Sequence, residues 1–160
     1  MLNITFIYLG APKESFFREA FDEYEKRLSR YCKFTEKCIK PENIPQNPTD
    51  NEIKKVLSAE KQKITEAIPK GAYKIAMCIE GKTMPSEKLA ELFEDVPLKG
   101  FSDIAFIIGS SHGLDESLKK ECDLRLSMSP MTFAHSLAAV MLTEQIYRAF
   151  CINNGDKYHK

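Results

Sequence analysis

The sequence predicts an α/β fold, in which a mostly parallel sheet is flanked by helices. Apolar runs of strand length alternate with segments of helical period along the chain, which is the pattern of βαβ units. One run, IAFII at residues 104–108, contains no polar residue, and strands buried on both faces are typical of parallel sheets. The length of 160 residues predicts a single domain over residues 1–160.

The N-terminal half supplies the first two repeats of this alternation. Residues 2–9 are rich in β-formers and end at a Gly-Ala-Pro turn, and residues 15–28 place apolar side chains at helical spacing. A short strand is predicted at 34–39, and three prolines predict a loop at 41–48. The segment 49–52 (TDNE) has the spacing of a capping box, which begins a helix that continues toward the next proline.

The C-terminal half continues the pattern. An apolar strand is predicted at 73–79, and a helix that starts at the Pro-Ser pair 85–86 follows it. After the IAFII strand come a short helix near 116–121 and a short strand at 124–128. A long helix is predicted over 133–152, followed by the polar tail NNGDKYHK.

Three predicted loops follow strands of the C-terminal half, at residues 80–82, 109–113 and 128–133. The carboxyl ends of parallel strands meet at one edge of the sheet, so we expect these loops to form a single cleft. The loop 109–113 (GSSHG) lacks both dinucleotide and P-loop signatures. Its small neutral groups suit a ligand such as adenosine without phosphates, while a tight turn with a packing glycine is the alternative interpretation.

Composition excludes several classes of protein. Lysine and arginine (23) balance aspartate and glutamate (23), so the net charge gives no general signal for nucleic acid. No signal-peptide pattern or membrane-length apolar run is present, and we expect a cytoplasmic protein that does not enter a membrane. Five scattered cysteines without a CxxC pair favour reduced thiols over disulfides or a zinc site, and we expect no metal.

Basic residues concentrate in one segment, residues 26–40 (KRLSRYCKFTEKCIK), which contains six lysines and arginines and one glutamate. Such a segment could contact a phosphate backbone. It could equally place cations at a helix C-terminus and along an edge strand, which is the more ordinary role.

Three longer segments resemble a known family: SDIAFIIGSSHGL, LSMSPMTFAH and LTEQIYRAFCINNGDKYHK. They are similar to the ribosomal RNA large subunit methyltransferase H (RlmH) family of SPOUT-class methyltransferases. The N-terminal half is similar too, in a strand that ends at Gly10, a helix with EYEKRLSRY and a strand that closes on EGK. The resemblance therefore covers essentially the full length.

The resemblance implies an enzyme that uses S-adenosylmethionine, without a metal, to methylate N3 of a pseudouridine in the helix-69 loop of 23S rRNA. It implies action on the assembled ribosome, a C-terminal trefoil knot and a homodimer. Family cofactor contacts carry over to Met77, Gly109, Met128, Ser129, Pro130, Met131, Thr132 and Phe133. Family positions associated with catalysis or RNA contact carry over to Arg148, Tyr158 and His159, and the tail would complete the site of the partner protomer.

Four positions depart from the family pattern: Ser110, His112, Ala134 and Ala139. Ser110 replaces a glycine, and Ala139 stands where the family has an arginine. Loss of that arginine, together with the neutral charge, leaves a second interpretation open. The chain would then be a non-catalytic module that binds S-adenosylmethionine or a nucleotide on the same scaffold.

Overall fold

The computed structural model describes residues 1–160 and contains one five-stranded sheet with helices on both faces. The strands are β1 (Asn3–Leu9), β2 (Lys33–Ile39), β3 (Tyr73–Lys82), β4 (Asp103–Ile108) and β5 (Leu124–Leu126). The helices are α1 (Ser15–Leu28), α2 (Asp50–Ala67), α3 (Ser86–Leu98), α4 (Glu116–Glu121) and α5 (His135–Asn153). None of these helices combines the length and hydropathy needed to cross a lipid bilayer.

The strand order is β2-β1-β4-β3-β5, and every neighbouring pair is parallel. The unbroken apolar strand β4 therefore lies at the centre, between β1 and β3, as its sequence predicted. Side chains alternate along β1, so that Ile4, Phe6 and Tyr8 belong to one core cluster while Ile7 and Leu9 belong to another. Helices α1, α3 and α5 cover the first face, and α2 and α4 cover the second.

The predicted elements are confirmed in type and order. The capping box of Thr49 and Glu52 is present at the start of α2, and the proline-rich segment 41–48 contains no helix or strand. The prediction of a loop at 80–82 was wrong, because β3 continues to Lys82 and pairs there with Leu126 of β5. Gly81 permits this approach, since a Cβ atom would lie 2.7 Å from the Leu126 carbonyl carbon.

The C-terminal boundaries also differ slightly from the prediction. Strand β5 ends at Leu126, and α5 begins at His135 after an extended segment. Residues 127–134 lie outside both elements, and they include the loop 128–133 of the expected cleft. The trefoil knot that the resemblance implies stays a prediction.

The edges of the sheet are formed by β2 and by the three-residue strand β5. The basic segment 26–40 thus spans the last turn of α1 and the edge strand β2, which is the ordinary role expected for its cations. Lys37 donates to the Ala67 carbonyl oxygen at 2.7 Å, and Arg27 pairs with Glu23 at 2.8 Å. The exposed cations of the segment are Lys26, Arg27, Arg30, Lys33 and Lys40.

Candidate functional site: a cavity formed by three loops

A cavity of about 640 Å³ opens at the carboxyl edge of the sheet. Its walls come from the end of β3 (77–80), the loop after β4 (109–113) and the segment after β5 (128–133). These regions are far apart in sequence, and their convergence confirms the single cleft expected from the parallel topology. The volume falls in the range of about 300–1,000 Å³ that is usual for sites of small molecules.

The loop after β4 is held in a tight turn by its own backbone. The Gly113 N–H donates to the Ser110 carbonyl oxygen at 2.8 Å, and Gly113 has a φ of +81°. A Cβ atom on Gly109 would lie 2.2 Å from the Gly113 carbonyl oxygen and 3.0 Å from Cδ2 of Leu114. Only glycine fits at position 109, because any side chain would separate the two ends of the turn.

The wall of the cavity is mainly apolar, with hydroxyl groups between the apolar side chains. Seven of the eight residues expected to contact a cofactor line it, namely Met77, Gly109, Met128, Ser129, Met131, Thr132 and Phe133. The eighth, Pro130, is exposed and does not line the cavity. Met131 is 72% exposed, which places an apolar side chain in solvent at the mouth.

Side-chain hydrogen bonds shape the segment after β5. The Ser127 hydroxyl donates to the Ser129 carbonyl oxygen at 3.0 Å, and the Ser129 hydroxyl accepts from the Met131 N–H at 3.0 Å. At the opposite wall, the Lys119 ammonium pairs with Glu80 at 2.5 Å. These two charged side chains neutralise each other, so the cavity wall presents mainly neutral groups to a ligand.

Two histidines border the cavity, in different environments. His112 is exposed in the loop after β4, whereas His135 is half-buried at the start of α5. Burial lowers the pKa of His135, so its ring is neutral at physiological pH. Its Nε2 atom is buried and has no hydrogen-bond partner.

Behind the loop lies a buried carboxylate that the sequence analysis missed. Glu60 of α2 is 2% exposed, and its Oε1 accepts from the Ser110 hydroxyl at 2.9 Å. Its Oε2 has no partner. The signal was the spacing of Leu57, Glu60 and Ile64, which places Glu60 on the apolar face of its helix.

The C-terminal tail folds back onto α5 and α3. The Tyr158 hydroxyl donates to Glu144 Oε1 at 2.9 Å, and the Arg148 guanidinium lies 4.7 Å from the centre of the Tyr158 ring. His159 contacts Arg148 through Nδ1 at 3.3 Å and Glu87 through Nε2 at 3.0 Å. The structure thus brings Arg148, Tyr158 and His159 together, and Glu144 forms an ion pair with Arg148.

This tail cluster (Arg148, Tyr158, His159 and Glu144) does not line the cavity of its own chain. His135 at the cavity and Arg148 in the cluster are separated by about 20 Å along the axis of α5, at 1.5 Å per residue. Between them lies a second cavity of about 560 Å³, which shares Leu126 and Met128 with the first. One chain therefore holds the two groups of predicted site residues in separate places.

Ala139, the position of the missing arginine, is 2% exposed and belongs to the core. Its carbonyl oxygen accepts from the buried Thr143 hydroxyl at 2.7 Å. The neighbouring Ala138 lines the cavity, and Ala139 does not. The departure at this position therefore leaves the cavity wall of the single chain unchanged.

Comparison with known sequences gives a consistent picture. The family profile described as a predicted SPOUT methyltransferase matches residues 2–159. A relative from Oenococcus oeni, named ribosomal RNA large subunit methyltransferase H, is 41% identical over 160 residues and is covered, like this chain, over 100% of its length. A relative of the same name from Clostridium novyi is 44% identical over 159 residues, 99% of this chain and 100% of that protein.

Solved structures share the fold at low sequence identity. A probable methyltransferase from Bordetella pertussis aligns with a TM-score of 0.56 and 12% identity, over 93% of this chain and 96% of its own. The tRNA (m1G37) methyltransferase from Aquifex aeolicus aligns with a TM-score of 0.50 and 14% identity, over 91% of this chain and 69% of its own. At these identities the similarity bears on the fold alone.

Replacing Glu60 with glutamine should change how stability depends on pH. Burial raises the pKa of the Glu60 carboxyl, whereas the unfolded chain titrates near about pH 4.3. The stabilisation due to the protonated form is therefore complete below the unfolded pKa and is lost as pH rises through the raised one. We expect the free energy of unfolding in urea to fall less between about pH 4 and pH 8 in Glu60→Gln than in the wild type.

The matched control is Glu66→Gln, which alters an exposed carboxylate on the same helix. Its pH profile should follow that of the wild type. A Glu60→Gln profile parallel to the wild-type profile would show that Glu60 does not titrate differently on folding.

Proposed function

Since this chain belongs to the SPOUT methyltransferase family, we propose that it transfers a methyl group from S-adenosylmethionine to large-subunit ribosomal RNA. The finer target that we propose is N3 of a pseudouridine in the helix-69 loop of 23S rRNA, on the assembled ribosome. The observation that carries the proposal is the convergence of the end of β3, the loop 109–113 and the segment 128–133 on one cavity of cofactor size. Action on assembled ribosomes would place the protein in the cytoplasm.

The cavity fits S-adenosylmethionine in size and in the chemistry of its wall. Met77, Met128 and Phe133 offer apolar surface to an adenine ring, and the backbone around Gly109 can approach a ligand closely. Hydroxyls of Ser129 and Thr132 offer hydrogen bonds to polar groups. When bound, this cofactor supplies an electrophilic sulfonium methyl, a chemistry that needs no metal.

The tail cluster suits the nucleobase side of the reaction. The N3 of a uracil ring carries a proton at neutral pH, so the site must stabilise the anion or accept that proton. Arg148 is a fixed cation, held by Glu144 and packed on Tyr158. Burial raises the pKa of Tyr158, so its hydroxyl stays protonated. Its hydrogen is donated to Glu144, and its oxygen can accept a hydrogen bond from the base. Arg148 would then stabilise negative charge on the base, while Tyr158 and His159 hold its edge.

We propose a homodimer, in which the tail cluster of one protomer completes the cavity of the other. The separation of the two groups along α5 supports this arrangement, because one chain alone does not bring them together. Apolar side chains that are not fully buried on α5 (Leu137, Val140 and Met141) provide surface for such a contact.

The direct test is transfer of a radiolabelled methyl group to ribosomes isolated from a strain that lacks this modification. We expect incorporation into 23S rRNA of assembled ribosomes and much less into separated subunits. Binding of S-adenosylmethionine without any incorporation would favour the alternative of a non-catalytic cofactor-binding module. Incorporation at a different nucleotide would show that the proposed target is wrong and that the proposed methyl transfer is right.

Replacing Gly109 with alanine should weaken the binding of S-adenosylmethionine. The added Cβ would overlap the Gly113 carbonyl oxygen, and relieving such an overlap costs about 1–3 kcal/mol. We expect the dissociation constant from calorimetry to rise by about tenfold or more. Glu66→Ala, an exposed change on α2 that does not line the cavity, is the control and should bind like the wild type. Equal affinities for both variants would contradict this account of the loop.

Deleting residues 158–160 should abolish methyl transfer and leave binding of S-adenosylmethionine largely intact, because the tail does not line the cavity of its own chain. A mixture of this deletion with Gly109→Ala tests the shared site. In a mixed dimer, one cavity with an intact loop receives an intact tail from the partner.

After exchange of subunits at limiting S-adenosylmethionine, we expect activity that approaches a quarter of the wild-type value, since half of the dimers are mixed and each has one complete site of two. As controls, the deletion alone should be inactive, and Gly109→Ala alone should keep only the low activity that its weakened cofactor binding allows. A mixture that stays inactive despite verified subunit exchange would place each tail over its own cavity.

A further inference from the structure

Glu60 is a carboxylate whose burial nothing in its own helix accounts for. The residue is 2% exposed, and taking a carboxylate out of water is costly unless it is paired. The lysines near it on α2 are engaged elsewhere, since Lys61 pairs with Glu121 at 2.7 Å and Lys63 pairs with Glu42 at 2.6 Å. The one hydrogen bond that Glu60 accepts through its side chain comes from the Ser110 hydroxyl.

Ser110 belongs to the loop that forms one wall of the cavity. Among the loop side chains at 110–112, Ser110 makes the single side-chain hydrogen bond that reaches the body of the protein. Its carbonyl oxygen accepts the Gly113 N–H that closes the turn. One residue therefore fixes the shape of the loop through its backbone and the position of the loop through its side chain.

We propose that Glu60 is a positioning residue of the cofactor cavity, which anchors the loop 109–113 to α2 through the Ser110 hydroxyl. The inference rests on the proposed function for the identity of the cofactor. Glu60 lies behind the loop, does not line the cavity and acts through Ser110. Loss of the anchor would let the loop move relative to β3 and to the segment 128–133, which form the other two walls.

Calorimetric titration with S-adenosylmethionine tests the anchor in Ser110→Ala, Glu60→Ala and the double variant. Each single variant should raise the dissociation constant by roughly tenfold, the scale of one hydrogen bond to a charged group. The double variant should bind no more weakly than the single variants, because both substitutions remove the same contact. Glu60→Gln keeps an acceptor oxygen and should recover most of the affinity that Glu60→Ala loses.

A control on the same helix separates positioning from general stability. Glu66→Ala removes an exposed carboxylate that does not line the cavity, and it should bind like the wild type. A Glu60 that served only to stabilise the core would lower the unfolding midpoint of the single variants without raising their dissociation constants, and this result would overturn the proposal. A dissociation constant of the double variant that rises by the product of the two single increases would overturn the proposal as well.

Hydrogen exchange of the cofactor-free protein gives a readout that is independent of the proposed function. Exchange of the amides at 111–114 should be faster in Ser110→Ala and Glu60→Ala, and should return toward the wild-type rate in Glu60→Gln. If the alanine variants exchange faster but the wild-type protein binds no S-adenosylmethionine, the anchoring of the loop stands and the proposed cofactor is wrong. Unchanged exchange in both alanine variants would reject the anchor.

Discussion

The close backbone contact between Gly109 and Gly113 is the constraint on which the candidate site depends. It turns the chain back immediately after β4, the strand at the centre of the sheet. The loop therefore lies beside the end of β3 and the segment 128–133, which form the other walls of the cavity. The parallel sheet places the loop at its carboxyl edge, and the turn sets the shape of the loop. Glu60 then supports the loop from the opposite face of the sheet, where α2 packs.

Helix α5 relates the two parts of the site. Its first turn contributes His135 and Ala138 to the cavity, and its last turns hold Arg148 beside the folded-back tail. Because a helix is a rigid rod of fixed rise, the separation between these parts is set by the number of residues between them. In the proposed function, cofactor binding and contact with the base therefore belong to different ends of one helix.

Much of the fold could be predicted because apolar periodicity is a local property of the sequence. The capping box at Thr49 and the unbroken run in β4 both appear as predicted. The parallel order of the strands brings the end of β3 and the two following loops to one cavity. The extension of β3 to Lys82 could not be predicted in this way, since it depends on pairing with a strand distant in sequence. Glu60 was missed because a glutamate in a charged helix is ordinarily solvated, and only the packing against Ser110 distinguishes it. The roles of Arg148 and Tyr158 came from family resemblance, whereas their contacts with Glu144 came from the folded chain.

The form of the two sheet edges has a consequence for self-association. An open edge strand is a template for intermolecular β-pairing and hence for aggregation. Here one edge, β5, is only three residues long, and the other, β2, carries Lys33 and Lys37 and is followed by Lys40. Extension of the sheet from one folded molecule to the next is disfavoured at both ends, which leaves the helical faces as the surface for a specific contact between copies.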